Sequence, residues 1–189
     1  MKKIFILIVS IFLCASAYAF DENLIKNLIN EGISARQEHN YVKLGNIGRM
    51  IINNASELGT GYLWVAQSLF RVGNYKESVY YFTKALERKE SLLDFEIPLS
   101  YYLRGTAYFQ IKEFQNAIDD FDIAESYNSR FTINNCAFYE SKAIAYGYLK
   151  NYDKGLIYAK KALLLSEDTK NKEQMELLIQ DYSNKKLLK

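Results

Sequence analysis

The chain has 189 residues, 49% of them apolar, with 24 Lys and Arg against 22 Asp and Glu, one histidine, two cysteines and one proline. A chain of this size forms one domain and buries about 70% of its unfolded surface without help from a metal or disulfide. The apolar content excludes a disordered chain, and the near balance of charge argues against a nucleic-acid surface, which needs a cationic excess.

The first stretch, MKKIFILIVSIFLCASAYAF, reads as a secretory signal peptide. Lys2 and Lys3 precede an apolar run from Ile4 to Leu13, and Ala17-Tyr18-Ala19 is a small-x-small cleavage site. The run is short of the roughly 20 residues a bilayer span needs, so no stable membrane insertion is expected after cleavage. Cys14 follows Leu13, which is too large for a lipoprotein site. Cleavage after Ala19 leaves one domain, residues 20–189, with 24 − 2 = 22 basic and 22 acidic residues. The expected destination is the bacterial periplasm, with full secretion as the alternative. Cys136 then has no partner in its own chain; it reads as a packing residue, with a reactive thiol as the alternative.

From residue 25 onward the chain repeats itself. RVGNYKESVYYFTKAL (71–86), QIKEFQNAIDDFDIAE (110–125) and YLKNYDKGLIYAKKAL (148–163) align. Each has an aromatic after a break (Tyr75, Phe114, Tyr152), then a small residue (Ser78, Ala117, Gly155), then an alanine (Ala85, Ala124, Ala162). Upstream, Tyr62, Tyr101 and Tyr139 each lead a segment with a small residue four places on: Ala66, Gly105, Ala143. A fainter first copy holds Gly32 and Tyr41, 34 residues before Ala66 and Tyr75. The copies span about 25–58, 59–92, 98–131 and 136–169, with insertions at 93–97 and 132–135. Residues 170–189 form a last helix with Met175, Leu178, Ile179 and Tyr182 on one side. Gly73 suits the left-handed position that ends a helix; Lys112 and Lys150 hold the same slot at greater cost. The first copy has bulky Leu44 and Ile51 where the others have small residues, so it reads as a loosely packed or edge repeat.

A helix–turn–helix unit with a period of 34 residues resembles the tetratricopeptide repeat. The resemblance implies an all-α fold, an α-solenoid of four helix pairs closed by a C-terminal capping helix. It also implies that the first helices line a concave groove, here Leu63, Gln67, Phe70, Arg71, Tyr102, Thr106, Phe109, Gln110, Glu140, Ile144 and Tyr148. The implied partner is a helix or extended peptide of another protein. Phe70, Tyr102, Phe109 and Tyr148 read as anchors lying outside the slots that pack one repeat on another, Phe109 foremost. The competing expectation is that the last helix folds back and covers the groove. The carboxylate clamp of some tetratricopeptide proteins is absent: its places hold Ile29, Ile33, Trp64, Leu99 and Leu103.

Nothing in the chain points to catalysis. His39 is the one histidine and sits in an expected turn, there is no phosphate-cradling glycine loop, and no cluster suits a metal or cofactor. Asp119 and Asp120 read as a solvated helix face, and Glu167 and Asp168 as a cap for the last helix. The expected function is a non-enzymatic interaction module, a scaffold or adaptor exported to the periplasm, with envelope or secretion-apparatus assembly as the setting. The alternatives are a secreted factor acting on a host protein, and a glycan-binding protein or enzyme.

Overall fold

The computed structural model describes residues 22–127 and 136–188. The signal-peptide reading of residues 1–19 and the insertion at 132–135 lie outside the described residues. Nine α-helices run through the described part: α1 (Glu22–Gln37), α2 (Tyr41–Asn54), α3 (Gly59–Arg71), α4 (Tyr75–Leu86), α5 (Glu96–Gln110), α6 (Phe114–Ser126), α7 (Cys136–Tyr148), α8 (Tyr152–Leu165) and α9 (Thr169–Leu187). Each packs on the next in sequence, and the first helices α3, α5 and α7 also touch in succession. The fold is an all-helical solenoid of helix pairs.

The turn inside each pair is the local event that makes the repeat. His39, Gly73, Lys112 and Lys150 take the same place in the four copies, and all four are left-handed, at φ 56°, 80°, 64° and 59°. In each copy the residue after this one donates its backbone N–H five residues back: Asn40 to Ala35, Asn74 to Leu69, Glu113 to Tyr108, Asn151 to Tyr146. The left-handed residue itself donates three back, to Arg36, Phe70, Phe109 and Gly147. This is the Schellman closure, which satisfies carbonyls that a helix end leaves unpaired. Asn40 and Asn151 then start the second helix by accepting from the backbone N–H of Lys43 and Lys154. The lysines thus adopt the conformation that glycine takes without strain.

Small residues set how closely the helices cross. A Cβ on Gly105 would meet the Phe121 ring at 2.8 Å, and one on Gly32 would enter the Trp64 ring. Ala85, Ala117, Ala124, Ala143, Ala159 and Ala162 are all fully buried. The first copy is not loose. Leu44 and Ile51 are fully buried, and the close approach is made between them, by Gly45 and Gly48. A Cβ on Gly48 would sit 2.6 Å from the Gly61 carbonyl oxygen, so α2 and α3 meet backbone to backbone.

Polar locks, absent from the sequence reading, tie the later repeats together. Val65, Arg104 and Lys142 share one repeat position. Arg104 grips Asp120 with two bonds of 2.7 Å and donates to the Thr83 hydroxyl on α4. Asp119 is exposed but Asp120 is buried, so only half of that acidic pair faces water. Lys142 is wholly buried, with its ammonium 2.6 Å from both Asp122 and Glu125 on α6 and 4.1 Å from the centre of the Tyr158 ring. Burial opposes the charge on Lys142, but the two carboxylates outweigh it and raise the pKa of the ammonium.

The last helix continues the array as a fifth first helix. Asp168 caps it by accepting from the backbone N–H of Asn171. Tyr182 enters a socket floored by Gly147 and Gly155 and donates its hydroxyl to the Ala143 carbonyl at 3.2 Å. Burial pushes its phenol up to about 12. Met175 joins the core cluster of Phe121, Phe138 and Ala162.

Candidate partner-binding groove

Three of the second helices, α2, α6 and α8, open with an aromatic that reaches the end of the next first helix. Arg71 lies over Tyr41 at 4.6 Å, Tyr148 stacks on Phe114 at 4.2 Å, and Lys185 lies over Tyr152 at 5.9 Å. These contacts align the C-terminal ends of the first helices along one edge of the solenoid. The residues just before those ends make a wall of apolar and polar side chains.

Between α1, α3 and α5 that wall holds a pocket of about 280 Å³. Gln67, Phe70, Arg71 and Tyr102 line it, joined by Arg36, Tyr41, Leu99 and Leu103. Arg36 is held in place from two sides. It donates to Glu96 at 3.1 Å, its guanidinium lies 5.6 Å from the centre of the Trp64 ring, and Glu96 in turn accepts from the backbone N–H of Leu93. Arg36 and Tyr41 were missed in the sequence because both belong to the faint first copy. The available signal was the shared aromatic slot, which Tyr41 occupies with Tyr75, Phe114 and Tyr152. Leu99 and Leu103, unable to bind a carboxylate, form the apolar floor.

A second, shallower pocket of about 350 Å³ lies at the other end, between Ile144 and Tyr148 of α7 and Leu178, Asp181 and Lys185 of α9. There α9 forms a side wall, and Tyr148 remains 65% exposed. Among the described residues, α9 packs mainly on α8.

The other expected groove residues are placed differently. Leu63 is fully buried in the first core cluster and cannot meet a partner: its turn of α3 faces the neighbouring helices. Phe109 is half-buried, packs edge-on against Phe114 at 5.7 Å and touches two core clusters, so it does pack one repeat on another. Tyr102 likewise bridges Phe121 and Phe138 at 6.3 and 5.8 Å while showing one edge to the pocket. Phe70 leans on Tyr75 and Phe82 and lines the pocket with its remaining face. Thr106 donates its hydroxyl to the Tyr102 carbonyl, Gln110 is exposed, and burial raises the Glu140 carboxyl. None of these last three lines either pocket.

Among the described residues, three buried side-chain atoms have no hydrogen-bond partner: Arg36 Nε, Trp64 Nε1 and Gln67 Oε1. Each such orphan costs about 1–3 kcal/mol, a cost that a bound partner offering the complementary group would offset. Among the described residues no group of three His, Cys, Asp or Glu could hold a metal, and no helix is long and apolar enough to cross a membrane.

No protein-family model and no curated protein matches the chain by sequence. By structure it is similar to MamA, a tetratricopeptide-like all-helical protein. MamA residues 41 to the end from Desulfovibrio magneticus RS-1 match at TM-score 0.67 with 16% identity, over 88% of this chain and 91% of that one. A point mutant of MamA matches at 0.67 with 14% identity, over 85% and 81%. A MamA RS-1 ArsTM double mutant matches at 0.63 with 14% identity, over 89% and 98%. The likeness is one of fold: a tetratricopeptide-like solenoid.

Proposed function

We propose that the protein is a non-enzymatic scaffold that holds a segment of a partner protein along the wall of its first helices. The observation that carries this is the pocket between α1, α3 and α5. Its apolar floor and arginine rim are preorganised by Glu96 and Trp64 yet stay open. A scaffold needs such a rigid surface and no reacting group. The tetratricopeptide-like fold supports the reading, since stacked repeats present extended concave surfaces. The groove function is tested by a photocrosslinking amino acid at Gln110 or Tyr148, each on the rim of the wall. Capture of a discrete partner in living cells is expected. Equal crosslinking from exposed Leu164, away from the wall, would refute it.

Export to the periplasm rests on residues 1–19, and envelope or secretion-apparatus assembly is the setting we favour. Mass analysis of the natively produced protein should find an N-terminus at Phe20. Retention of residues 1–19 in a membrane fraction would contradict it.

One observation favours a second reading, glycan binding. Tyr62, Tyr80 and Tyr81 gather with Arg49 and Asn53 around a pocket of about 370 Å³ on the second-helix side, and Tyr80 is 56% exposed. A glycan array with wild type and Tyr80→Ala decides this point.

A further inference from the structure

The unpaired polar atoms and the pocket occupy the same wall. Arg36 Nε is a donor without an acceptor, and Gln67 Oε1 is an acceptor without a donor. Both residues line the pocket. A peptide unit brings one carbonyl and one N–H, the complement of this pair. Below them Phe70, Leu99 and Leu103 offer an apolar seat. Gln67 is more than nine-tenths buried, so water competes poorly for its oxygen.

The charge at the site is also one-sided. Arg36 is already neutralised by Glu96. Arg71 makes no ion pair among the described residues, and its guanidinium is fixed over the Tyr41 ring at the rim. A single uncompensated guanidinium beside an apolar seat selects a carboxylate attached to an apolar group. It is too little charge for a nucleic-acid backbone.

We propose that this pocket takes an extended segment of a partner protein in which a large apolar residue stands next to Asp or Glu. The peptide unit pairs with Arg36 and Gln67, the apolar side chain fills the seat, and the carboxylate meets Arg71. This rests on the scaffold function above and specifies the partner's chemistry.

The test uses the purified full chain and short fluorescein-labelled Gly-Ser peptides with central Glu-Phe-Glu, Gln-Phe-Gln, Lys-Phe-Lys or Glu-Gly-Glu, read by fluorescence anisotropy. Glu-Phe-Glu should bind about tenfold or more tighter than Lys-Phe-Lys and Glu-Gly-Glu, and the gap should shrink in high salt. Arg71→Glu should reverse the charge preference. Gln67→Leu should weaken every Phe peptide about tenfold while melting no lower than wild type, because it removes an unpaired buried oxygen. A charge preference unmoved by Arg71→Glu overturns the proposal. So does binding that is lost on Tyr148→Ala and kept in Arg71→Glu, which puts the segment at the far end of the groove and leaves the scaffold function standing. Absence of binding by all four peptides at about 1 mM also overturns it. Photocrosslinking to the native partner then judges the scaffold function separately.

Discussion

Replacing Gly147 with alanine should undock the last helix. The new Cβ would fall 1.9 Å from the Tyr182 hydroxyl oxygen and 2.4 Å from the ring carbon that bears it, so the ring has to leave its socket. Tyr182 is 5% exposed, and its hydroxyl also serves the Ala143 carbonyl. A buried aromatic covers about 150–250 Å², which at about 25 cal/mol per Å² is about 4–6 kcal/mol, with about 1 kcal/mol more for the hydrogen bond. The full sum is not expected, because α9 is a terminal element of a quasi-linear array. Once the loss exceeds the docking free energy of α9, the helix comes away and the cost stops growing. Undocked, a helix of 19 residues is marginal in water. Hydrogen exchange should therefore show residues 169–187 losing protection while α1–α6 keep theirs. Tyr182→Ala should give the same pattern, and the double variant should cost no more than either single one, because both remove one contact. Protection of α9 unchanged in Gly147→Ala, or strictly additive losses, would refute the socket.

Three further outcomes follow from the described contacts. Lys112→Gly and Lys150→Gly should each stabilise the protein by about 0.5–1 kcal/mol in denaturant titration, since both lysines are left-handed; the same change at right-handed Lys84 should destabilise it. Phe109→Ala should lower stability by about 2–3 kcal/mol, because the half-buried ring packs on Phe114 and two core clusters; a melt within 1 °C or so of wild type would return it to the groove. Burial would raise the Glu125 carboxyl, but its bonds to Lys142 and the nearby Lys161 hold it below the ordinary range. Its folded pKa is thus lower than its unfolded one. The stability it contributes is present above the unfolded value of about 4.3 and is lost as pH falls through the folded value. Glu125→Gln should flatten that part of the acid limb in pH-dependent unfolding, and an unaltered limb would count against the lock.

The fold was legible in the sequence because a repeat states its own rules several times. The spacing of aromatic, small residue and alanine in three copies placed the helix pairs. The recurrence of Gly73, Lys112 and Lys150 at one slot marked three of the turns, and His39 was expected in the fourth. What stayed hidden depended on neighbours the period does not name. Nothing in the pattern of the first copy said that Gly45 and Gly48 would replace the small residues expected at positions 44 and 51; only the approach of Gly61 on α3 makes that register work. Whether an aromatic faces solvent or an adjoining repeat depends on the helix beside it, so Phe109 and Leu63 went into the packing and Arg36 and Tyr41 into the pocket. The locks at Arg104 and Lys142 were illegible for the same reason. A buried cation is tolerable only when a second helix brings carboxylates within hydrogen-bonding distance, and that juxtaposition exists only in three dimensions.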